Sequence, residues 1–286
     1  MNYCPITCNF PIGFEMKCII CNAESSYYFT KTYSKAPFDE FMKDIGPVDY
    51  YKCSRCGFVL SKAHQSLDKG QWDKLNHQFH HYIEGSVGGH DLNQPPYAEQ
   101  ALMLRLLGDN GVVRTDSMID YAAGYGSLSR ILEKYFNASL PIYDPYVKAG
   151  DEQRYVQDLS TYKTVLNSAM FEHVVDRESL DYVDSLVDDD GCFIIHTLVC
   201  ENVPKDPDWF YLEPPVHTAF HTNASMNILM EQWGYRSSIY CPQSKCWILM
   251  REDVGAYSEK LESINEELQC QWFFYKNGFV DYWKGF

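Results

Sequence analysis

From residue 115 onward, short apolar runs alternate with segments whose apolar residues recur at helical spacing. Residues 117–122, 140–143, 162–167 and 192–196 read as buried strands. Residues 127–135, 177–187 and 224–233 read as helices, with Leu128, Ile131, Leu132, Leu180, Val183 and Leu186 turned inward. Such alternation confines the chain to a mostly parallel sheet with helices on both faces. Two closing runs, 236–241 and 245–250, joined by Pro242-Gln-Ser244, predict an antiparallel hairpin at one edge. A polar helix over 259–269 and an aromatic tail over 272–286 follow.

The first strand hands over to its helix through Asp120-Tyr-Ala122-Ala-Gly124-Tyr-Gly126-Ser. Glycines at that junction let a ligand approach the backbone and expose helix N-terminal N–H groups. Asp144 ends the next strand, where a carboxylate can accept two ribose hydroxyls in a doubly wound sheet. Strand, glycine turn, helix and distal acid together point to a nucleoside site.

The order Asp-x-Ala-x-Gly-x-Gly differs from the G-x-G-x-x-G of dinucleotide enzymes. It resembles motif I of the class I S-adenosylmethionine (SAM)-dependent methyltransferases, with Ala122 in place of the first glycine. The segment Val165-Leu-Asn167-Ser-Ala-Met-Phe-Glu172-His173-Val is similar to their fourth-strand region, and Asp190-Gly191-Cys-Phe-Ile-Ile-His-Thr197 to the start of their fifth strand. The resemblance covers about residues 100–250. It implies a doubly wound, mostly parallel, seven-stranded Rossmann-like sheet. Asp120, Ala122, Gly124, Gly126 and Asn167 would then line the cofactor site, with Asp144 on the ribose and Asp158 near the adenine amino group.

Ahead of this region lie Cys18-Ile-Ile-Cys21 and Cys53-Ser-Arg-Cys56. Two C-x2-C knuckles place four thiolates around one ion, so Cys18, Cys21, Cys53 and Cys56 predict a structural Zn2+ in a small zinc-ribbon-like module. Four thiolates leave no open position for catalysis. Cys4 and Cys8 read as free thiols, and the other five of the 11 cysteines as small core residues. The expected organisation is a zinc module (1–65), a helical connector capping the cofactor (66–110), the SAM domain (111–255), and a C-terminal helix with aromatic tail (256–286). The connector includes a helix near 71–82, a glycine-rich loop at 85–89 and a second helix after Pro95-Pro96.

A zinc module before such a domain is similar to the sugar methyltransferases of deoxysugar and surface-glycan pathways. The C-methylating members usually carry a further C-terminal domain, for which 286 residues leave no room, so O- or N-methylation is favoured over C-methylation. The resemblance thus implies a small-molecule acceptor, a nucleotide-linked sugar or a related metabolite. A homo-oligomer is left open. With 24 Lys+Arg against 39 Asp+Glu the net charge is −15, which disfavours nucleic acid as a partner. No apolar run approaches a membrane span and no secretory signal is visible, so the reading is cytoplasmic.

Methyl transfer needs a positioned nucleophile and a proton acceptor. His217 and His221, in Glu213-Pro-Pro-Val-His217-Thr-Ala-Phe-His221-Thr-Asn223, read as a loop or helix cap on the substrate rim and are the leading candidate bases. His173, at the carboxyl end of strand four, is the third. His196 reads as a core histidine, and His77, His80 and His81 as a solvated helix face. Asn223 reads as an N-cap. Two rival functions are an RNA- or protein-directed methyltransferase using the zinc module as a reader, and a non-catalytic SAM-binding assembly protein.

Overall fold

A computed structural model describes residues 16–85, 94–147 and 154–281. Cys4, Cys8, most of the glycine-rich loop at 85–89 and the end of the aromatic tail lie outside the described residues. The chain opens with β1 (Met16–Lys17), β2 (Glu24–Lys31), α1 (Phe38–Phe41), β3 (Val48–Cys53), β4 (Val59–Ser61), α2 (Lys62–Gln65), α3 (Lys69–Gly85) and α4 (Tyr97–Asp109). It continues with β5 (Met118–Tyr121), α5 (Ser127–Phe136), β6 (Ile142–Tyr143), β7 (Tyr162–Ser168), α6 (Arg177–Asp184), β8 (Val187–His196) and β9 (Val199–Cys200). The last elements are β10 (Ala219–Thr222), α7 (Asn223–Gln232), β11 (Ser237–Cys241), β12 (Cys246–Met250), α8 (Ser258–Glu267) and β13 (Phe274–Asn277).

The main sheet has seven strands in the order β13-β11-β12-β8-β7-β5-β6. The pairings among β6, β5, β7 and β8 are parallel, and those from β8 through β12 and β11 to β13 are antiparallel. The fold is therefore the Rossmann-like α/β arrangement expected, with five of the seven strands pointing one way. Period-two burial shows how the two faces form. Ile119, Val165, Phe193, Ile195, Trp247 and Leu249 share one core with Leu180 and Val183 of α6 and Met226 and Leu229 of α7. Their neighbours Met118, Leu166, Ile194 and Ile248 share the other with α4, α5 and α8. β5 runs first to β6 on one side, and β7 then returns to its other side. That switch point opens a crevice at the carboxyl ends of the strands.

The hairpin β11–β12 forms as expected but is not the sheet edge. The tail residues Phe274–Asn277 add β13 outside β11, and Trp247 stacks on Phe279 at 5.5 Å while its Nε1 donates to the Val280 carbonyl. Pairing satisfies the backbone groups that an edge strand leaves open.

A second sheet, β1-β2-β3-β4-β10-β9, carries the cysteine pairs. Its last two strands come from beyond β8: Ala219 and Phe220 pair with Leu60 and Val59. The segment 219–222, read as loop or cap, is thus a strand, since Val59 and Leu60 offer it a free apolar edge. The helix cap is also displaced by one residue, because the Thr222 side chain accepts from the Ser225 N–H and Ser225 bonds back. No helix among the described residues is long and apolar enough to cross a membrane.

Candidate active site

The parallel register aligns Tyr121, Tyr143, Ser168 and His196 at one end of the main sheet. Beyond β5 the chain turns through Ala122, Gly124 and Gly126, with φ of 60°, 54° and 72°. At Gly126, the residue before α5, the left-handed backbone favours glycine, and a Cβ would meet Ile142 Cδ1 at 2.7 Å and push that side chain aside. Ala122 holds a left-handed backbone despite its Cβ, a conformation held only when its surroundings over-determine it.

Asp144 locks this loop to the next strand. Its Oδ2 accepts from the Gly124 N–H at 2.8 Å, and its Oδ1 accepts from the N–H groups of Tyr146 and Val147, both at 2.7 Å. Burial pushes its carboxyl above the ordinary range, against these three donors and the nearby His80, which favour the charge. Asp120 is fully buried in β5, where burial and Asp144 raise its carboxyl further. Asn167 is buried too, and its Nδ2 donates to the Tyr121 carbonyl at 2.8 Å, tying β7 to β5. Asp158 lies apart, exposed, two residues beyond the stretch through which Tyr155 bridges Ile142.

Two neighbouring cavities, sharing His80 and His173 in their walls, flank the turn. One, of about 510 Å3, is walled by Trp72, Asn76, Tyr121, Asp144, Tyr146 and Tyr182. The other, of about 380 Å3, is reached past Ala122, Ala123 and Gly124 and includes Ser168, Glu172, His173, His196, Tyr211 and His217. His80 of α3 lines both cavities. The expected solvated face of that helix is carried by His77 and His81, whose rings stack at 6.3 Å, whereas His80 turns inward, 6.0 Å from the His173 ring.

His80, His173, His196 and His217 all line the second cavity, beside Glu172. Glu172 and His173 occupy a 3-10 turn, Phe171–His173, just past β7. Glu172 accepts from Tyr211 Oη at 2.7 Å and from Thr197 Oγ1 at 2.8 Å. Burial raises its carboxyl, and those two hydroxyls oppose the rise. The His217 ring is 5.2 Å from the His173 ring, and its Nδ1 lies 2.6 Å from the Tyr211 carbonyl. A carbonyl oxygen only accepts, so Nδ1 carries the proton and Nε2 keeps its lone pair. Burial pushes His217 down to about 4 and holds His173 well below its ordinary value, so both are neutral near pH 7.

The three candidate bases therefore separate. His173 and His217 meet at the cavity, while the His221 ring is enclosed between Phe58 at 4.9 Å and Phe171 at 5.5 Å and lines neither cavity. His196 differs from its reading as a core residue: it ends β8 on the cavity wall, and burial lowers it to about 4. Glu172, His80, Thr197 and Tyr211 were not singled out from sequence as acting groups. Glu172 had a signal in its place beside His173; Tyr211 and Thr197 are isolated polar residues whose convergence depends on the tertiary fold.

Within the second sheet the four cysteines converge, their core continuous with Phe58 and Phe171. Sγ–Sγ distances are 3.6 Å for Cys18–Cys56, 3.4 Å for Cys21–Cys53 and 3.6 Å for Cys21–Cys56. A tetrahedron with metal–sulfur bonds of 2.3 Å has edges of ~3.8 Å, so the sulfurs fit one ion after a slight expansion. Backbone N–H groups of Ile20, Arg55 and Cys56 point at Cys18 and Cys53 sulfurs at 3.4–3.5 Å. Asn22 and Gly57, each just past its pair, take the left-handed backbone that closes the knuckle. The neighbouring Cys18 sulfur and burial push the Cys56 thiol up; a bound cation inverts that balance.

No family model and no curated protein sequence matches the chain. Among solved structures, it is similar to the plantazolicin methyltransferase BpumL in complex with SAH, at 9% identity, covering 62% of this chain and 96% of that one with a TM-score of 0.41. Coclaurine N-methyltransferase bound to N-methylheliamine and SAH is 17% identical over 67% of this chain and 64% of its own, with a TM-score of 0.35. Magnesium protoporphyrin IX methyltransferase (ChlM) from Synechocystis PCC 6803 with bound SAH is 16% identical over 65% and 89%, with a TM-score of 0.36. At such identities and scores, function has to be argued from the site itself.

Proposed function

We propose that the chain is a SAM-dependent methyltransferase acting on a small metabolite, with a nucleotide-linked sugar as the favoured acceptor and oxygen or nitrogen as the favoured atom. The observation that carries this reading is the Ala122–Gly126 turn at the sheet's switch point, with Asp144 bonded to its central N–H. The aromatic cavity beside Asp144 suits an adenosine: Tyr121, Tyr146, Tyr182 and Trp72 line it, and the carboxylate, with three of its roughly four acceptor sites taken, keeps one on Oδ2 for a ribose hydroxyl. When bound, SAM supplies an electrophilic methyl group. The chain's part is to orient donor and acceptor in line, exclude water and take a proton from the acceptor. His217 Nε2 and the His173 ring, both neutral and with rings 5.2 Å apart, would serve as the proton acceptors, a role their shared place on the cavity supports. The cysteine cluster would hold a structural Zn2+, stiffening the sheet whose strand β10 follows His217.

Calorimetric titration of zinc-loaded protein with SAM and with S-adenosylhomocysteine (SAH) tests the core of this reading. Micromolar or tighter affinity for both is expected. Folded protein that binds neither would remove it.

A further inference from the structure

We infer that Glu172, His173 and His217 form a second metal site, for a divalent first-row transition ion, on the wall of the 380 Å3 cavity. One ligand atom from each lies within 4.8 Å of the others. A metal with N and O bonds of 2.0–2.2 Å needs ligand separations of roughly 3.4 Å, so side-chain movements of about an ångström close the site. Two imidazoles and one carboxylate are the donor set that suits such ions while leaving coordination positions open.

The surroundings of the three ligands are those a metal site requires. The His217 Nδ1–H donates to the Tyr211 carbonyl, which fixes the ring and leaves Nε2 as the nitrogen with a lone pair for an ion. Glu172 is oriented by Thr197 and Tyr211, which occupy two of about four acceptor sites on its carboxylate and leave others for an ion. The two chain segments are pinned to each other by backbone. The Thr218 N–H donates to the Glu172 carbonyl at 2.7 Å, and Thr218 Oγ1 donates to the Val174 carbonyl at 2.6 Å. Ligands from residues 45 apart are thus held in register before any ion arrives.

This assignment deepens the methyl-transfer reading and, in its consequence for substrate, rests on it. An ion here takes up the imidazole lone pairs, so the histidines act on the acceptor through the metal. A hydroxyl bound at an open position loses its proton to water more readily, because the cation stabilises the alkoxide. The acceptor class is then one with two neighbouring oxygens, a diol or hydroxy-carbonyl, which can chelate the ion.

The test uses full-length protein carrying one Zn2+ at the cysteine cluster, titrated with Co2+ in the absence of SAM. Metal content after gel filtration and the visible spectrum are read together. One further equivalent is expected, with weak bands of nitrogen and oxygen ligation and without the thiolate charge-transfer band that exchange into the cysteine site would give. Glu172→Gln and His173→Ala should each weaken its uptake at least ~10-fold, while His196→Gln, at the same cavity, should retain it. Failure to bind the second equivalent overturns the assignment, as does uptake that survives in the His173→Ala/His217→Ala double variant. If that variant does not fold, unchanged affinity in the near-isosteric Glu172→Gln overturns it equally. SAH titration of the same samples reports on the methyl-transfer reading separately, since SAH binding without Co2+ uptake removes the ion alone.

Discussion

The four cysteines arrive as two local pairs, each closed by a left-handed residue, and their sulfurs gather against one another and against backbone N–H groups. Glu172, His173 and His217 arrive from two distant segments, and all three line a cavity. The first cluster would saturate an ion and could then only hold structure; the second, if it binds one, would leave room for something else. The difference teaches where chemistry lies in this molecule. With an ion bound, the closed set would brace a sheet whose strand β10 follows the segment bringing His217 to the open set.

The largest effect should come from breaking the closed cluster. Cys18, Cys53 and Cys56 are buried in the same core as Phe58, Phe193 and Trp233, so their loss reaches the main sheet as well. Structural zinc contributes about 10–16 kcal/mol in small zinc-finger domains. Cys53→Ser, or a strong chelator, is therefore expected to abolish the cooperative melting transition followed by circular dichroism. A melting temperature within a few degrees of the parent would show that the cluster holds nothing together.

The next effect sharpens the contrast between the turn and the open cluster. Asp144→Ala removes the acceptor of three backbone N–H groups and the group proposed to hold the ribose. Hydrogen bonds to a charged acceptor contribute about 1.5–3 kcal/mol each, so SAH affinity by calorimetry should fall by at least ~30-fold, a loss of about 2 kcal/mol. Asp158→Ala, an exposed site that lines neither cavity, should change it much less. Equal losses in the two variants would undo the assignment of Asp144.

Both the turn and the cysteine pairs were legible because their chemistry is local. Strand, glycines, helix and acid lie within 30 residues, and C-x2-C spacing already encodes a knuckle. The open cluster was legible only in fragments. His173 and His217 were visible as candidates, but Tyr211 and Thr197, which orient Glu172 and His217, carry no spacing signal. β10 was hidden for a related reason: four residues, Ala219–Thr222, read as loop until the edge of β4 supplies their partners. The inward turn of His80 likewise depends on what α3 packs against, since helical spacing gives a face but not its neighbour.

The smallest effect concerns the histidine that sequence alone could not separate from His217. His221 is wholly buried between Phe58 and Phe171, and burial lowers it to about 4 from an unfolded value near 6.5. The unfolded chain therefore binds the extra proton. The stability tied to the neutral ring is complete above pH 6.5 and is lost as pH falls toward 4. Replacing it by phenylalanine keeps the ring and removes the titration. Relative to the parent, His221→Phe should gain about 2 kcal/mol of unfolding stability between pH 7.5 and pH 5, read from urea melts at both values. Methyl-transfer activity at pH 7.5 should stay within a few-fold of the parent. A pH-independent difference would mean that the ring is reached by water, and a collapse of activity without loss of fold would return His221 to the acting groups beside His173 and His217.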